Sequence, residues 1–129
     1  MQKSISTLLT AGILALSVTA ALAQTAPATA ADTSKGKALV DGKGMTLYTF
    51  DKDTTAGKSA CNGQCAINWP PLSAAAGATP SGDWTIVTRD DGTKQWAYKS
   101  KPLYDFHKDA KAGDVTGDGV NNVWHIAAP

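Results

Sequence analysis

The 129 residues contain no glutamate: all eleven acidic side chains are aspartate. Glutamate favours helices and aspartate favours turns and caps, so this absence tilts the composition toward strands and loops. Paired-carboxylate chemistry, if present, would have to be built from two aspartates. An excess of one charge is also missing. Twelve basic residues face eleven acidic ones, and without Lys3 the balance is even. That excludes the strongly basic surface expected of a nucleic-acid binder or a polybasic membrane binder. No apolar run is long enough for a comfortable membrane span, and no long 3.6-residue period occurs outside the N-terminal segment. Gly-x-Ser-x-Gly, His-Glu-x-x-His and a phosphate loop are all missing. No Ser-His-Asp set is specific enough to name, so no catalytic residue is assigned and no enzyme is expected.

At the N-terminus, Lys3 precedes an apolar stretch from Leu8 to Leu16, and Ala21-Leu22-Ala23 follows as an A-x-A cleavage site. This is the pattern of a secretory signal peptide over residues 1–23. Cleavage after Ala23 leaves 106 residues, one domain's worth. No cysteine stands at the new N-terminus to carry a lipid, so the protein is expected to be periplasmic or secreted, without a membrane anchor. Residues 24–34 are rich in Ala and Thr and read as a flexible leader. The domain proper is placed at residues 35–129.

The two cysteines lie close together, as Cys61-Asn62-Gly63-Gln64-Cys65. In an oxidising compartment such a pair is most simply a disulfide pinning a local turn. A loop this short restrains the unfolded chain weakly, below the ~3 kcal/mol of a 15-residue loop. A redox pair and a metal pair are the alternatives. The spacing is not the Cys-x-x-Cys of thioredoxin-type motifs, and Ala66 stands where a haem-attachment motif needs His.

Turn residues divide the rest into short strands. Ala38–Val40 and Met45–Phe50 flank Asp41-Gly42-Lys43-Gly44. In the second of these, Leu47 and Thr49 share one face and Tyr48 and Phe50 the other. Ala66–Trp69 suits one helical turn before Pro70-Pro71, and Trp69–Pro70 is a candidate cis peptide. Trp84–Thr88 and Lys94–Tyr98 flank Asp90-Asp91-Gly92 as the clearest hairpin in the chain. Pro102–Phe106 and Val123–Ala127 read as two further strands, separated by a Gly/Asp/Asn turn region.

The chain also repeats itself. Shifted by 56 positions, residues 36–57 align without a gap with 92–113, giving nine identities in 22, against about one or two at background frequencies. Trp69 and Trp124 follow at similar distances. The repeat halves run from about 36 to 72 and from 92 to 127. The expected fold is all-β or mostly β: a compact single domain of two pseudo-symmetric strand-turn-strand repeats with long loops.

The repeated core stands as Leu47-Tyr48-Thr49-Phe50-Asp51-Lys52-Asp53 and as Leu103-Tyr104-Asp105-Phe106-His107-Lys108-Asp109. With the Cys pair, Trp69-Pro70-Pro71-Leu72 and Asp91-Gly92-x-x-Gln95-Trp96-x-Tyr98, it closely resembles the bacterial secreted or lipoprotein repeats named for a Y-x-(F/W/Y)-x-x-D motif. The resemblance covers about 36–127. It implies an exported protein and carries no catalytic residues to transfer, because the family is catalogued without a function. Many relatives are lipid-anchored, and the missing lipid-attachment cysteine is a departure here.

Physically, Tyr48 with Phe50 and Tyr104 with Phe106 read as a buried aromatic core, with Asp53 and Asp109 locking turns. The sharper alternative makes Tyr48 and Tyr104 an aromatic binding or electron-relay surface. His107 and His125, with Met45 or an aspartate, are weak metal candidates without close ligand spacing. Asp114 to Gly119 partly mimics a calcium loop through Asp114 and Asp118, but Thr116 and His125 fall at positions where a loop ligand and the bidentate Glu belong. No cofactor is expected. The leading reading is a non-enzymatic envelope module that binds a protein or small ligand through an aromatic face. A periplasmic redox accessory and a metal-binding protein are the alternatives.

Overall fold

The computed structural model describes residues 26–129, so the signal-peptide assignment lies outside the described residues. Strands dominate. They run as β1 (Thr29–Thr33), β2 (Gly36–Val40), β3 (Tyr48–Phe50), β4 (Trp84–Thr88), β5 (Lys94–Tyr98), β6 (Lys101–Pro102) and β7 (Trp124–Ile126). One short helix, α1 (Gln64–Asn68), and a 3-10 turn at Val120–Asn122 interrupt them. β1 and β2 form an antiparallel hairpin from Thr29↔Val40 to Thr33↔Gly36. β4 and β5 form its counterpart, extended by β6. β3 pairs with β7.

Two expectations are corrected. Residues 29–33 are not part of a flexible leader: they are the first strand of the first repeat, every residue of it paired with β2. Thr33 fixes the turn by accepting the Lys35 N–H at 3.0 Å and donating to the Gly36 carbonyl at 2.6 Å. Both repeats therefore begin with an antiparallel hairpin, seven to eight residues ahead of the expected starts at 36 and 92, the first closed by a shorter turn than the second. Second, no peptide bond among the described residues is cis, so Trp69–Pro70 is trans.

The two repeats meet at their tyrosines. Tyr48 and Tyr104 form an antiparallel backbone bridge in which each N–H donates to the other's carbonyl, at 2.8 and 3.0 Å. A pseudo-twofold relation follows from the flanking bonds. Ala127 N–H donates to Leu47 O in one half, and Leu72 N–H donates to Leu103 O in the other. Asp51 N–H reaches Val123 O, and its counterpart His107 N–H reaches Asn68 O.

Strand alternation then sends adjacent motif residues to opposite faces. Leu47 and Leu103 enter one apolar cluster with Ala28, Leu39 and Ala127. Tyr48 and Tyr104 enter another with Cys61, Trp69, Phe106 and Trp124. The second cluster is a stack of four rings. Trp69 lies on Trp124 with centroids 3.7 Å apart and planes 2° from parallel. Phe106 caps the outer face of Trp69 at 4.0 Å, and Phe50 caps Trp124 at 4.1 Å. Tyr48 meets Trp69 edge-on at 5.5 Å, and Tyr104 meets Trp124 the same way at 5.2 Å. Each such pair adds roughly 0.5–1.5 kcal/mol beyond its burial.

Gly117 closes this stack. A Cβ built there would lie 2.9 Å from atoms of Trp69 and Tyr48 and 3.0 Å from Phe106. Gly117→Ala is expected to lower stability by about 1–3 kcal/mol through overpacking, a drop in Tm of roughly 4–8 °C per kcal/mol. Gly77→Ala, whose Cβ would meet nothing within 4 Å, serves as the control and is expected to leave the thermal melt unchanged.

Candidate functional site

The repeated motif builds an interior. Both tyrosines are fully buried, and each hydroxyl crosses to the other repeat. Tyr48 donates to Asp109 Oδ2 and Tyr104 donates to Asp53 Oδ2, both at 2.6 Å. The second oxygen of each aspartate holds its own loop. Asp53 Oδ1 accepts Ala60 N–H at 2.6 Å, and Asp109 Oδ1 accepts Thr116 N–H at 2.9 Å. Burial first, and then the aspartate partner, push both tyrosine hydroxyls well above their ordinary range. Burial also raises Asp53, against the lowering pull of the Tyr104 hydroxyl. The proton thus stays on each tyrosine. The reading of Tyr48 and Tyr104 as an exposed binding surface is corrected: both are sealed in the core.

Around Tyr104 the structure adds residues that sequence reasoning missed. Arg89 is 5% exposed. Its guanidinium donates to Gln95 Oε1 at 2.7 Å, Ser59 Oγ at 3.0 Å and Cys61 O at 2.5 Å. Ser59 Oγ also sits 2.7 Å from the Tyr104 hydroxyl, and Gln95 donates to Leu103 O at 2.8 Å. One compositional signal was available. Arg89 is the single arginine beside eleven lysines, and only a guanidinium presents a rigid fork of donors to several buried acceptors at once.

The metal candidates do not converge. His125 Nε2 lies 2.8 Å from Asp51 Oδ2, while His107 is exposed on the far side of Phe106, edge-on to its ring. Asp114 is taken up by the N–H groups of Ala110 and Lys111, which hold its carboxyl below the usual range. Asp118 accepts Ile126 N–H at 2.9 Å and faces Lys35. Among the described residues no three His, Cys or Asp side chains are grouped as a metal site. The cysteines are joined as a disulfide.

Two of the seven Trp and Tyr residues remain half-exposed, Trp84 and Tyr98, whose rings pack at 4.8 Å. Tyr98 lines a cleft of about 280 Å³ with Lys99, Lys101, Thr49, Asp51 and His125. The β5–β6 turn projects the lysines. Lys99 and Ser100 both carry positive φ, 51° and 71°, the conformation a two-residue hairpin needs and non-glycine residues adopt at some cost. The Lys99 ammonium lies 5.2 Å from the Tyr98 ring centroid. Cationic side chains, an aromatic face and a His–Asp pair therefore share one opening.

A second electrostatic feature is Asp105. Its Oδ1 is buried without a partner. Burial, then the neighbouring Asp41 carboxyl, push its pKa up to about 7 from 3.8.

Residues 29–73 and 85–128 each match the model of one family, described as a secreted repeat of unknown function. The matched stretches begin at the two hairpins. Neither a curated protein nor a solved structure matches the chain.

Two outcomes are expected from this geometry. In double-mutant cycles, Tyr48→Phe should couple to Asp109→Asn by about 0.5–3 kcal/mol, as contacting residues do. Its coupling to Asp53→Asn, in its own repeat, should be smaller; denaturant melts of the four variants decide it. For Asp105, the folded-state pKa lies above the unfolded value, so the folded state binds the extra proton. The stability this gives is complete below 3.8 and is lost as pH rises through about 7. Asp105→Asn should therefore gain Tm relative to wild type as pH is raised from 4 to 8. A difference independent of pH would contradict the assignment.

Proposed function

From the membership of this chain in the Lipoprotein_15 family of secreted repeats, we propose that it is an exported, non-enzymatic binding module working at the periplasm or outside the cell. No described helix is long and apolar enough to cross a membrane. The reading rests on one observation, the cleft in which Tyr98, Lys99 and Lys101 face the His125–Asp51 pair. The aromatic face that serves binding is thus the half-exposed ring of Tyr98, backed by Trp84, and not the motif tyrosines.

The chemistry of the lining names the ligand class. Two exposed ammonium groups attract an anion, and the Tyr98 ring with Ile126 offers apolar surface for the body behind it. A small organic anion, or an acidic side chain presented by an envelope protein, satisfies both. Small pockets reach specificity this way, with apolar walls and a few placed polar groups.

Benzoate serves as a probe carrying both features. Its titration by NMR should shift the amides of Thr49, Tyr98, Lys101 and His125. The Tyr98→Ala/Lys101→Ala variant should bind at least tenfold more weakly, about 1.4 kcal/mol. Shifts elsewhere on the domain, or equal affinity in the variant, would remove this reading.

A further inference from the structure

The pseudo-twofold relation supplies an internal control for the disulfide. The 56-residue shift places Cys61 on Gly117 and Cys65 on Asn121. The loops correspond in space as well: Ala60 N–H binds Asp53 as Thr116 N–H binds Asp109. In the first repeat the loop leads through α1 to Trp69, and in the second through the 3-10 turn to Trp124. The second repeat seats its indole parallel to the first within 2° and has no crosslink. A disulfide is therefore not needed to place the tryptophan. A five-residue Cys-to-Cys loop also adds little through the unfolded chain.

The two sulfurs differ in access. Cys61 is fully buried in the aromatic cluster. Cys65 is half-buried and lines a groove of about 420 Å³ with Lys52, Asn68 and Asn121. The Arg89 guanidinium donates to the Cys61 backbone carbonyl, and its hydrogen bonds go to neutral acceptors. The carboxylates within its electrostatic reach, Asp53 and Asp91, are bonded to Tyr104 and Ala60, and to Thr93.

We propose that Cys61–Cys65 is a thiol-exchange centre, reduced by a dithiol that enters from the groove and attacks Cys65. A thiolate of the dithiol attacks Cys65 Sγ. The S–S bond breaks, and its electron pair leaves on Cys61 Sγ. The second thiol of the reductant then attacks the mixed disulfide and releases Cys65. Two electrons pass to the protein, the two protons of the dithiol end on Cys61 and Cys65, and the reductant departs as a disulfide. Lys52, at the groove, attracts the incoming thiolate.

The test uses the oxidised wild-type protein with dithiothreitol as the dithiol, in native buffer. Reduction should go to completion without denaturant, with the far-ultraviolet circular dichroism and a cooperative melt retained. Iodoacetamide should then label Cys65 at least tenfold faster than Cys61, read by peptide mass. Cys61→Ala should form a mixed disulfide with oxidised glutathione at least tenfold faster than Cys65→Ala. Where either variant does not fold, the wild-type labelling ratio decides alone. Reduction that requires denaturant, reduction that unfolds the domain, or equal or reversed labelling would overturn the proposal.

Discussion

Each repeat's tyrosine is completed by the other repeat's aspartate, and the rest of the domain depends on that exchange. A buried phenol without an acceptor costs roughly 1–3 kcal/mol, while a hydrogen bond to a charged partner contributes about 1.5–3 kcal/mol. Neither tyrosine hydroxyl bonds the motif aspartate of its own repeat; the bonds observed are Tyr48 to Asp109 and Tyr104 to Asp53. One repeat alone would leave its tyrosine unsatisfied and its tryptophan without the second indole. Duplication is thus part of the folding unit. The same exchange orders both loops, because each aspartate spends its remaining oxygen on a backbone N–H seven residues further on. An aspartate has the reach for both tasks at a strand end, and this gives the glutamate-free composition a physical meaning at two positions.

Function in such a domain has to be sought where the symmetry fails. The motif residues are consumed by the core: Leu47 and Leu103 in one cluster, the tyrosines and tryptophans in the other. The proposed chemistry lies at departures from that symmetry. The β5–β6 turn is two residues long, Lys99 and Ser100, where the first repeat uses the longer Asp41–Met45 loop held by the Asp41 carboxylate. That shorter turn brings two lysines beside Tyr98. His125 and Asp51 pair across β3 and β7, and the corresponding residues of the other half do not. Arg89 and the disulfide belong to one side only. The proposed binding cleft and thiol-exchange centre lie on unmatched residues and leave the matched ones free to hold the fold.

Much of this was legible in the sequence. The gapless 56-residue echo located the repeat, and period-two alternation correctly divided Leu47 from Tyr48 and Phe50. The β4–β5 hairpin announced itself through Asp-Asp-Gly between alternating strands. Its partner did not. Residues 29–33 are Ala- and Thr-rich and lack the large apolar residues that mark a strand, and their pairing is set by β2 and by Thr33 at the turn. Symmetry was the unused clue, since a hairpin opening the second repeat requires one opening the first. The cross-repeat direction of the tyrosine bonds was equally hidden. Asp53 and Asp109 each follow their own Phe by three residues and do bond near it through the backbone, with Asp53 N–H on Phe50 O and Asp109 N–H on Phe106 O. The turn reading was right for the backbone, and the side chains reach further than local spacing can say.

The same logic bears on the disulfide and the arginine together. A repeat that has lost nothing by carrying Gly117 and Asn121 in place of two cysteines shows what the ring stack requires at these positions: at Gly117, absence of a side chain between three rings. The first repeat carries the buried Cys61 at that position instead, and Arg89, from the second repeat's stretch, holds the Cys61 carbonyl together with Ser59 and Gln95. Burying the single arginine beside neutral acceptors has a desolvation cost. The disulfide is confined to one of the two related halves, and the other half seats its indole without one. The proposed thiol exchange through the half-buried Cys65 gives the crosslink a role that the ring stack does not require of it.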